Sequence, residues 1–230
     1  VNTFSSNAGF IKEFDRKYSL GIQYNYTERA PNIAEMFSGG LHHSLASIEY
    51  GNPFLKKEKT HKILLDFEKK NGKLNYRINP YLSHSKDYIL AIPVGFEQTI
   101  RGAFPVWEYS PINSIFKGAD FDFVYHIEDN IKYKNSISWI EAKDYQTNKP
   151  LINIPPLVIN NEVQFSFGKF KKFNAIIENK FVNKQILFPN YNSITSVIEN
   201  GNKIDKIVDI STPPDGYNLF NLNFNWGPYN

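Results

Sequence analysis

Between residues 18 and 26, Tyr18, Leu20, Ile22, Tyr24 and Tyr26 alternate with Ser19, Gly21, Gln23 and Asn25. Successive side chains of a strand point to opposite faces, so this segment predicts a strand with one aromatic, greasy face and one wet face. The same two-residue period, bounded by turn residues, recurs in nine segments: 4–14, 18–28, 58–69, 74–88, 115–127, 131–142, 157–167, 171–185 and 216–226. The connections alternate in length. Short links at 15–17, 70–73, 128–130 and 168–170 are followed by longer ones at 29–57, 89–114, 143–156 and 186–215.

The hairpins can be tested by parity. A three-residue turn at 15–17 sets Phe14 opposite Tyr18 and Phe10 opposite Ile22. A turn around 128–130 sets Tyr125 against Tyr133, Phe121 against Ile137 and Ala119 against Trp139, with one mismatch, Phe123 against Asn135. Asn71-Gly72 suits a two-residue type I′ turn, because both central positions need φ > 0. That turn predicts Phe67 opposite Tyr76, Leu65 opposite Ile78, Asp66 opposite Arg77 and Glu68 opposite Asn75. Like then meets like, as cross-strand pairing requires. Pro80 removes a ladder donor in mid-strand and predicts a bulge or local break there.

One face of this sheet therefore collects residues such as Ile63, Leu65, Phe67, Ile78, Phe121, Ile137, Trp139, Ile177, Leu222 and Phe224. The other collects Asp66, Arg77, Asp120, Asp122, Lys132, Lys134, Lys172, Glu178 and Lys180. Several segments run to about 11–15 residues, against roughly 5–6 for a typical soluble strand. Length and alternation together predict an all-β fold, an antiparallel transmembrane β-barrel with short periplasmic turns and long extracellular loops. The apolar face then meets lipid and the charged face lines a watery lumen, where its charges pair with one another. The alternative is a soluble β-barrel or sandwich that binds lipid or glycan through its loops. Nine strands fall short of an even-numbered barrel, so the whole of 1–230 reads as one portion of a larger barrel domain.

Composition narrows the reading. The chain has 14 Tyr, 19 Phe and 3 Trp, a load that suits aromatic girdles. A net charge of +3 is too small to argue for a nucleic-acid groove. Without Cys there is no disulfide scaffold, thiol chemistry or Cys-ligated zinc. No apolar run approaches the roughly 18–20 residues of a membrane-spanning helix, which leaves a barrel open. No Ser-His-Asp set, catalytic carboxylate pair or phosphate-cradling loop stands at convincing spacing, so no enzyme and no cofactor is expected.

The connection at 29–57 carries a denser signature. Arg29, Pro31, Asn32, Glu35 and Phe37 form an R-x-P-x-x-x-E-x-F stretch. Gly40 and His42 form a G-x-H patch, and Gly51, Asn52, Leu55 and Glu58 form G-N-x-x-L-x-x-E at the opening of the next strand. In order and spacing these stretches resemble the C-terminal part of the β-barrel of TonB-dependent outer-membrane receptors. Residues 115–120 and 151–156 resemble further pieces of the same barrel. The resemblance implies about 22 strands around a plug domain, with this chain as most of the second half and the plug and last strands outside it. It further implies active transport of a scarce nutrient, most often a ferric siderophore or similar metal chelate, energised through TonB from the inner membrane. The partners it implies are that cargo, the TonB complex and outer-membrane lipid.

Candidate contacts lie in the long connections. His42-His43 can meet a metal chelate, since imidazole is a common ligand, but adjacent residues do not converge on one ion and no metal site is expected. Glu35, Glu49 and Glu58 add only a loose set of oxygen donors around them. Arg101, Trp107 and Tyr109, with Phe96, Phe104 and Glu108, make a patch suited to an anionic, ring-bearing chelate, because Arg stacks and forks onto carboxylates. Gly51-Asn52-Pro53 reads as turn chemistry, and Arg29 is placed to lock the loop by pairing with Glu35 or Glu58. The 186–215 connection, with Tyr191, Lys203, Lys206 and Pro213-Pro214, can close over cargo or stand as a disordered tip.

Overall fold

The computed structural model of the chain describes residues 2–167, 173–199 and 201–227. Thirteen strands and one short helix are found there: β1 (Ser5–Phe14), β2 (Tyr18–Arg29), α1 (Ile33–Phe37), β3 (Gly39–His42), β4 (Ser47–Tyr50), β5 (Glu58–Lys69), β6 (Leu74–Thr99), β7 (Gly102–Glu128), β8 (Ile131–Asp144), β9 (Val158–Phe167), β10 (Phe173–Val182), β11 (Ser193–Glu199), β12 (Asn202–Val208) and β13 (Tyr217–Trp226). Nine of them form one antiparallel wall in the order β1-β2-β5-β6-β7-β8-β9-β10-β13. These are the nine strands the alternation predicts. The turn expected at 168–170 lies outside the described residues.

Registers follow the parity rule. Phe14 meets Tyr18 and Phe10 meets Ile22, while Tyr125 meets Tyr133, Phe121 meets Ile137 and Ala119 meets Trp139. The β5–β6 hairpin corrects the expectation by two residues: Phe67 faces Ile78, Glu68 faces Arg77 and Lys69 faces Tyr76. Asn71 and Gly72 do have positive φ, 70° and 103°, but they sit inside a four-residue connection. A shift of two keeps every side chain on its face, which is why parity survives. At Pro80 the β5–β6 ladder lapses between Leu64–Tyr81 and Phe67–Ile78 without a register change.

Three connections expected as loops contain strand. β6 and β7 continue far past the wall and pair from Tyr88–Ile112 out to Thr99–Gly102, with irregularities at Ser85/Tyr88 and Pro93/Gly95. The 89–114 segment is thus the distal half of one long hairpin. The 29–57 connection folds into α1 and the small β3–β4 hairpin, and β4 lies parallel along distal β7. The 186–215 connection contains the β11–β12 hairpin.

Among the described residues, nothing packs over the apolar face. Leu20, Ile22, Ile63, Leu65, Leu82, Ile177, Leu222 and Phe224 are all exposed, and the few buried apolar residues, such as Ile48, Val106, Leu151 and Ile152, cluster at the loop end. A closed sandwich or small soluble barrel would bury those side chains in its core; this wall leaves them open. At the periplasmic end Phe165, Phe167, Phe173 and Phe224 follow one another at 5.9–6.0 Å between rings. At the other end Tyr24 and Tyr26 gather on His61. Lys117 reaches Glu141 at 3.1 Å beside Trp139, and Lys143 reaches the same carboxylate at 2.9 Å. From Lys117 to Tyr125 is about 26 Å along the strand at 3.3 Å per residue. At a tilt near 40° this gives about 20 Å of height, close to the apolar band of roughly 25 Å in such barrels.

The polar face carries paired charges. Arg77 forks onto Asp66, Lys134 meets Glu162 at 2.7 Å, and Ser138 donates to Asp120 at 2.7 Å. Tyr81 lies across Gly118, where a Cβ would stand 2.4 Å from its hydroxyl, and Lys62 sits over the same ring at 4.3 Å.

The Phe123–Asn135 mismatch has a physical reason. Asn135 donates to Asn161 Oδ1 at 2.8 Å, Asn161 donates to Asn179 at 3.3 Å, and Asn179 donates to Asn218 at 3.4 Å. Tyr133 adds its hydroxyl to Asn161 at 2.6 Å. The amides form a ladder across β8, β9, β10 and β13 on the apolar face. Each amide offers its neighbour the partner that hydrocarbon cannot.

Candidate functional site

Two constructions stand above the apolar band. The first locks the loop after β2. Asn32 caps α1, accepting from the Glu35 amide at 2.8 Å, while the Glu35 carboxylate accepts from the Asn32 amide at 2.8 Å; this is the reciprocal capping box. Arg29 then joins helix and wall. Its Nε and Nη2 donate to the Glu58 carboxylate at 2.6 and 2.8 Å, and its Nη1 donates to Glu35 at 2.9 Å. Glu58 also accepts from the Ile89 amide at 2.6 Å, at the root of the long hairpin. The Asn52 amide donates to the Glu35 carbonyl and the Gly51 amide to the Ser38 carbonyl, both at 2.8 Å. A Cβ at Gly51 would lie 2.5 Å from the Met36 and Phe37 backbone, so the close approach requires glycine. Leu55 is buried beneath the turn. Pro31 sits just ahead of the Asn32 cap. The motif residues therefore have a structural task, and the pairing expected with Glu35 or Glu58 is made with both.

The second is an extracellular sheet of β3, β4 and the distal halves of β7 and β6. β4 pairs with β7 in parallel as Ile48–Val106, Glu49–Trp107 and Tyr50–Glu108. Ile48 and Val106 are buried. Glu49, Trp107 and Tyr109 share the opposite parity, and Tyr109 donates to Glu49 at 3.5 Å. His42, paired with Ser47, and Gly40, paired with Glu49, fall on that side too. Three of the sequence-predicted contact residues (His42, Trp107 and Tyr109) are thus brought to one face, and the chain adds a carboxylate, Glu49, between them. His43 is exposed in the β3–β4 turn. Arg101 stands apart at the tip of the long hairpin, where its amide donates to Thr99. Six residues separate it from Trp107, about 20 Å of strand.

On the buried-Val106 side, Tyr50 donates to Glu97 at 2.7 Å, tying the β3–β4 hairpin to β6. That carboxylate raises the Tyr50 hydroxyl above its ordinary range. An aromatic pair, an imidazole and a carboxylate can stack on a ring-bearing ligand and accept hydrogen bonds from it. The sequence sets Glu49 only loosely beside His42-His43; the parallel β4–β7 pairing brings it to Trp107 and Tyr109.

An antiparallel wall with aromatic girdles, short turns at one end and a structured head at the other defines a transmembrane β-barrel of the large, receptor type. The description "TonB dependent receptor-like, beta-barrel" fits residues 1–229. The chain belongs to the TonB-dependent receptor family. No curated protein matches it. Among solved structures it is similar to the copper transporter OprC, at 17% identity and a TM-score of 0.74 over 96% of this chain and 30% of that one. It is also similar to the siderophore receptor PirA from Acinetobacter baumannii, at 12% and 0.63 over 96% and 34%. A third is the FrpB iron transporter from Neisseria meningitidis, at 13% and 0.60 over 97% and 32%. At these identities the likeness is one of fold. The chain spans about a third of the length of each.

Proposed function

We propose that this chain forms part of the barrel of an outer-membrane receptor that captures a ferric siderophore or similar metal chelate and passes it inward with energy delivered through TonB. One observation carries the reading: an uncovered apolar wall ends in a head where His42, Glu49, Trp107 and Tyr109 share one face. Trp107 and Tyr109 offer stacking surface to a chelate's ring systems, and His42 and Glu49 offer polar contacts at their edge. Arg101 and His43, exposed at two hairpin tips, serve as outlying contacts for an anionic cargo. The names of the similar structures, a copper transporter, a siderophore receptor and an iron transporter, agree with a metal-bearing cargo. Within such a receptor the inner-face charges, Asp66–Arg77 and Lys134–Glu162 among them, guide solute and brace a plug domain.

The test is uptake. Cells lacking the receptor are supplied with radiolabelled iron on single siderophores, and rescue is compared between the native receptor and Trp107→Ala. The native receptor should restore uptake of at least one chelate. Trp107→Ala should reduce it about tenfold at limiting concentration, the effect of one lost aromatic contact of 1–2 kcal/mol. Equal uptake of every metal chelate with and without the receptor would refute the proposal.

A further inference from the structure

A second site stands away from the β3–β4 head. A half-enclosed cavity of about 430 Å³ opens between the loops joining β8 to β9 and β10 to β13. Its floor is Leu151 and Ile152, both 4% exposed, and its walls include Leu187, Phe188, Ile210 and Pro213. Among the described residues of the lining, Asp215 is the only charged side chain, and Lys184 pairs with it at 2.6 Å.

The frame of the cavity is built. Gln185 Nε2 donates to the Ile154 and Pro155 carbonyls at 2.9 and 3.1 Å, and its Oε1 accepts from the Leu187 amide at 2.9 Å. On the far side Asn192 Oδ1 accepts from the Ile210 and Ser211 amides at 2.9 and 3.2 Å. Ser211 Oγ in turn accepts from the Tyr191 amide at 2.9 Å. The β8–β9 loop and the irregular stretches on either side of the β11–β12 hairpin thereby border a largely apolar space, with Asn153, Asn183, Ser211 and Thr212 among the polar residues at its walls.

We infer that this cavity binds the uncharged, apolar part of an amphiphile, an alkyl chain of medium length. Size and charge both argue for this. A 150 Å³ cavity lined by Leu, Ile and Phe accepts benzene and stays dry when empty. This one is about three times larger and falls in the range of small-molecule sites. The described lining has no cation to offer an anionic chelate core, whereas a hydrocarbon group gains by leaving water. The inference rests on the receptor reading only for which end of the wall meets the medium. Two sources fit the chemistry, a soluble amphiphile arriving from outside and an acyl chain of an outer-leaflet lipid.

The experiment uses the whole receptor in nanodiscs and the fluorescent probe 11-(dansylamino)undecanoic acid, with dansylamide as the chain-free control. Empty nanodiscs give the signal from bilayer partition. The variants are Leu187→Ser and Phe188→Ser at the cavity, with Ile186→Ser, exposed and outside the lining, as the control. The receptor should add a saturable component for the undecanoic probe that dansylamide does not reproduce. That affinity should fall about tenfold in Leu187→Ser and Phe188→Ser and stay within twofold in Ile186→Ser. Native mass spectrometry of receptor taken from outer membranes separates the sources. A bound lipid mass lost in Leu187→Ser identifies membrane lipid as the occupant, and saturable probe binding without such a mass identifies a soluble amphiphile. A signal no larger than that of empty nanodiscs, or saturable binding unchanged in both cavity variants, would overturn the inference. Neither result bears on iron uptake, which tests the cargo separately.

Discussion

Asn161 receives a hydrogen bond from Asn135 on one neighbouring strand and gives one to Asn179 on the other. It stands on the apolar face, where hydrocarbon offers no replacement. Asn161→Leu removes the middle rung, strands the Tyr133 hydroxyl and leaves the Asn135 amide only the Asn160 carbonyl. A buried polar group left unpaired costs about 1–3 kcal/mol, so this substitution should destabilise the folded wall although it adds hydrophobic surface. The readout is the urea midpoint of the receptor in detergent, compared with Ile159→Leu on the same strand, which should change it little. A midpoint for Asn161→Leu equal to or above that of the native protein would contradict the ladder's role.

The Arg29 fork sets a second expectation. Arg29→Lys keeps the charge but cannot present two parallel donors to Glu58 while reaching Glu35. Arg29→Ala leaves two carboxylates, each about 10% exposed, facing each other without a cation. Arg29→Ala should cost about 2 kcal/mol locally, and Arg29→Lys should recover less than half of that. Limited proteolysis within residues 29–57 measures it: cleavage should accelerate in the order native, Lys, Ala.

The clasp around residues 184–215 should depend on acid. The Thr212 backbone amide holds the Asp209 carboxyl below its ordinary range, and the hydrogen bond from Lys184 does the same for Asp215. A carboxylate with a depressed folded pKa contributes its stabilisation above the unfolded value, about 3.9, and loses it as pH falls through the folded value. The loops should therefore hold firm from neutrality to about pH 4 and loosen below it. Hydrogen exchange of the 184–215 amides between pH 6 and pH 3 tests this, after correction for intrinsic rates. Asp215→Asn should loosen the Lys184 side at every pH and flatten its dependence.

The wall was readable because its physics is local. Phe10–Ile22 and Tyr125–Tyr133 are paired by a two-residue period and a turn of known length, both visible in a linear string. The β5–β6 register needed one more fact, the length of the connection around Asn71-Gly72. The distal hairpin was hidden by its own punctuation. Pro93, Gly95, Pro105 and Pro111 read as loop residues, yet Pro93 and Gly95 flank an irregularity on β6, whose other edge, among the described residues, pairs with no strand beyond Lys86. Proline is tolerated at such places. The head was half legible: Trp107 and Tyr109 announce themselves two residues apart, but their meeting with Glu49 and His42 depends on a parallel pairing between segments about sixty residues apart. The asparagine ladder left a trace, since Asn135, Asn161 and Asn179 all fall on the apolar parity. The loop cavity left none, because its walls come from irregular backbone.

Facing also predicts an asymmetry between neighbours. Phe121 and Asp122 are adjacent in β7 and point to opposite sides. An Arg on the lipid side near the bilayer midplane costs about 2–4 kcal/mol. Phe121→Arg should cut the amount of assembled, heat-modifiable barrel in outer membranes severely. Asp122→Asn should assemble at nearly the native level.

The most direct measurement uses single cysteines introduced into this stretch of the wall, which has none of its own. Nitroxide labels at Phe121→Cys and Asp122→Cys, in receptor reconstituted into bilayers, report collision with oxygen, which concentrates in hydrocarbon, and with a water-soluble nickel chelate. The label at 121 should favour oxygen and the label at 122 the nickel chelate, with the same alternation at Ile137→Cys and Ser138→Cys. The reverse order at both pairs would contradict a wall whose aromatic side meets lipid.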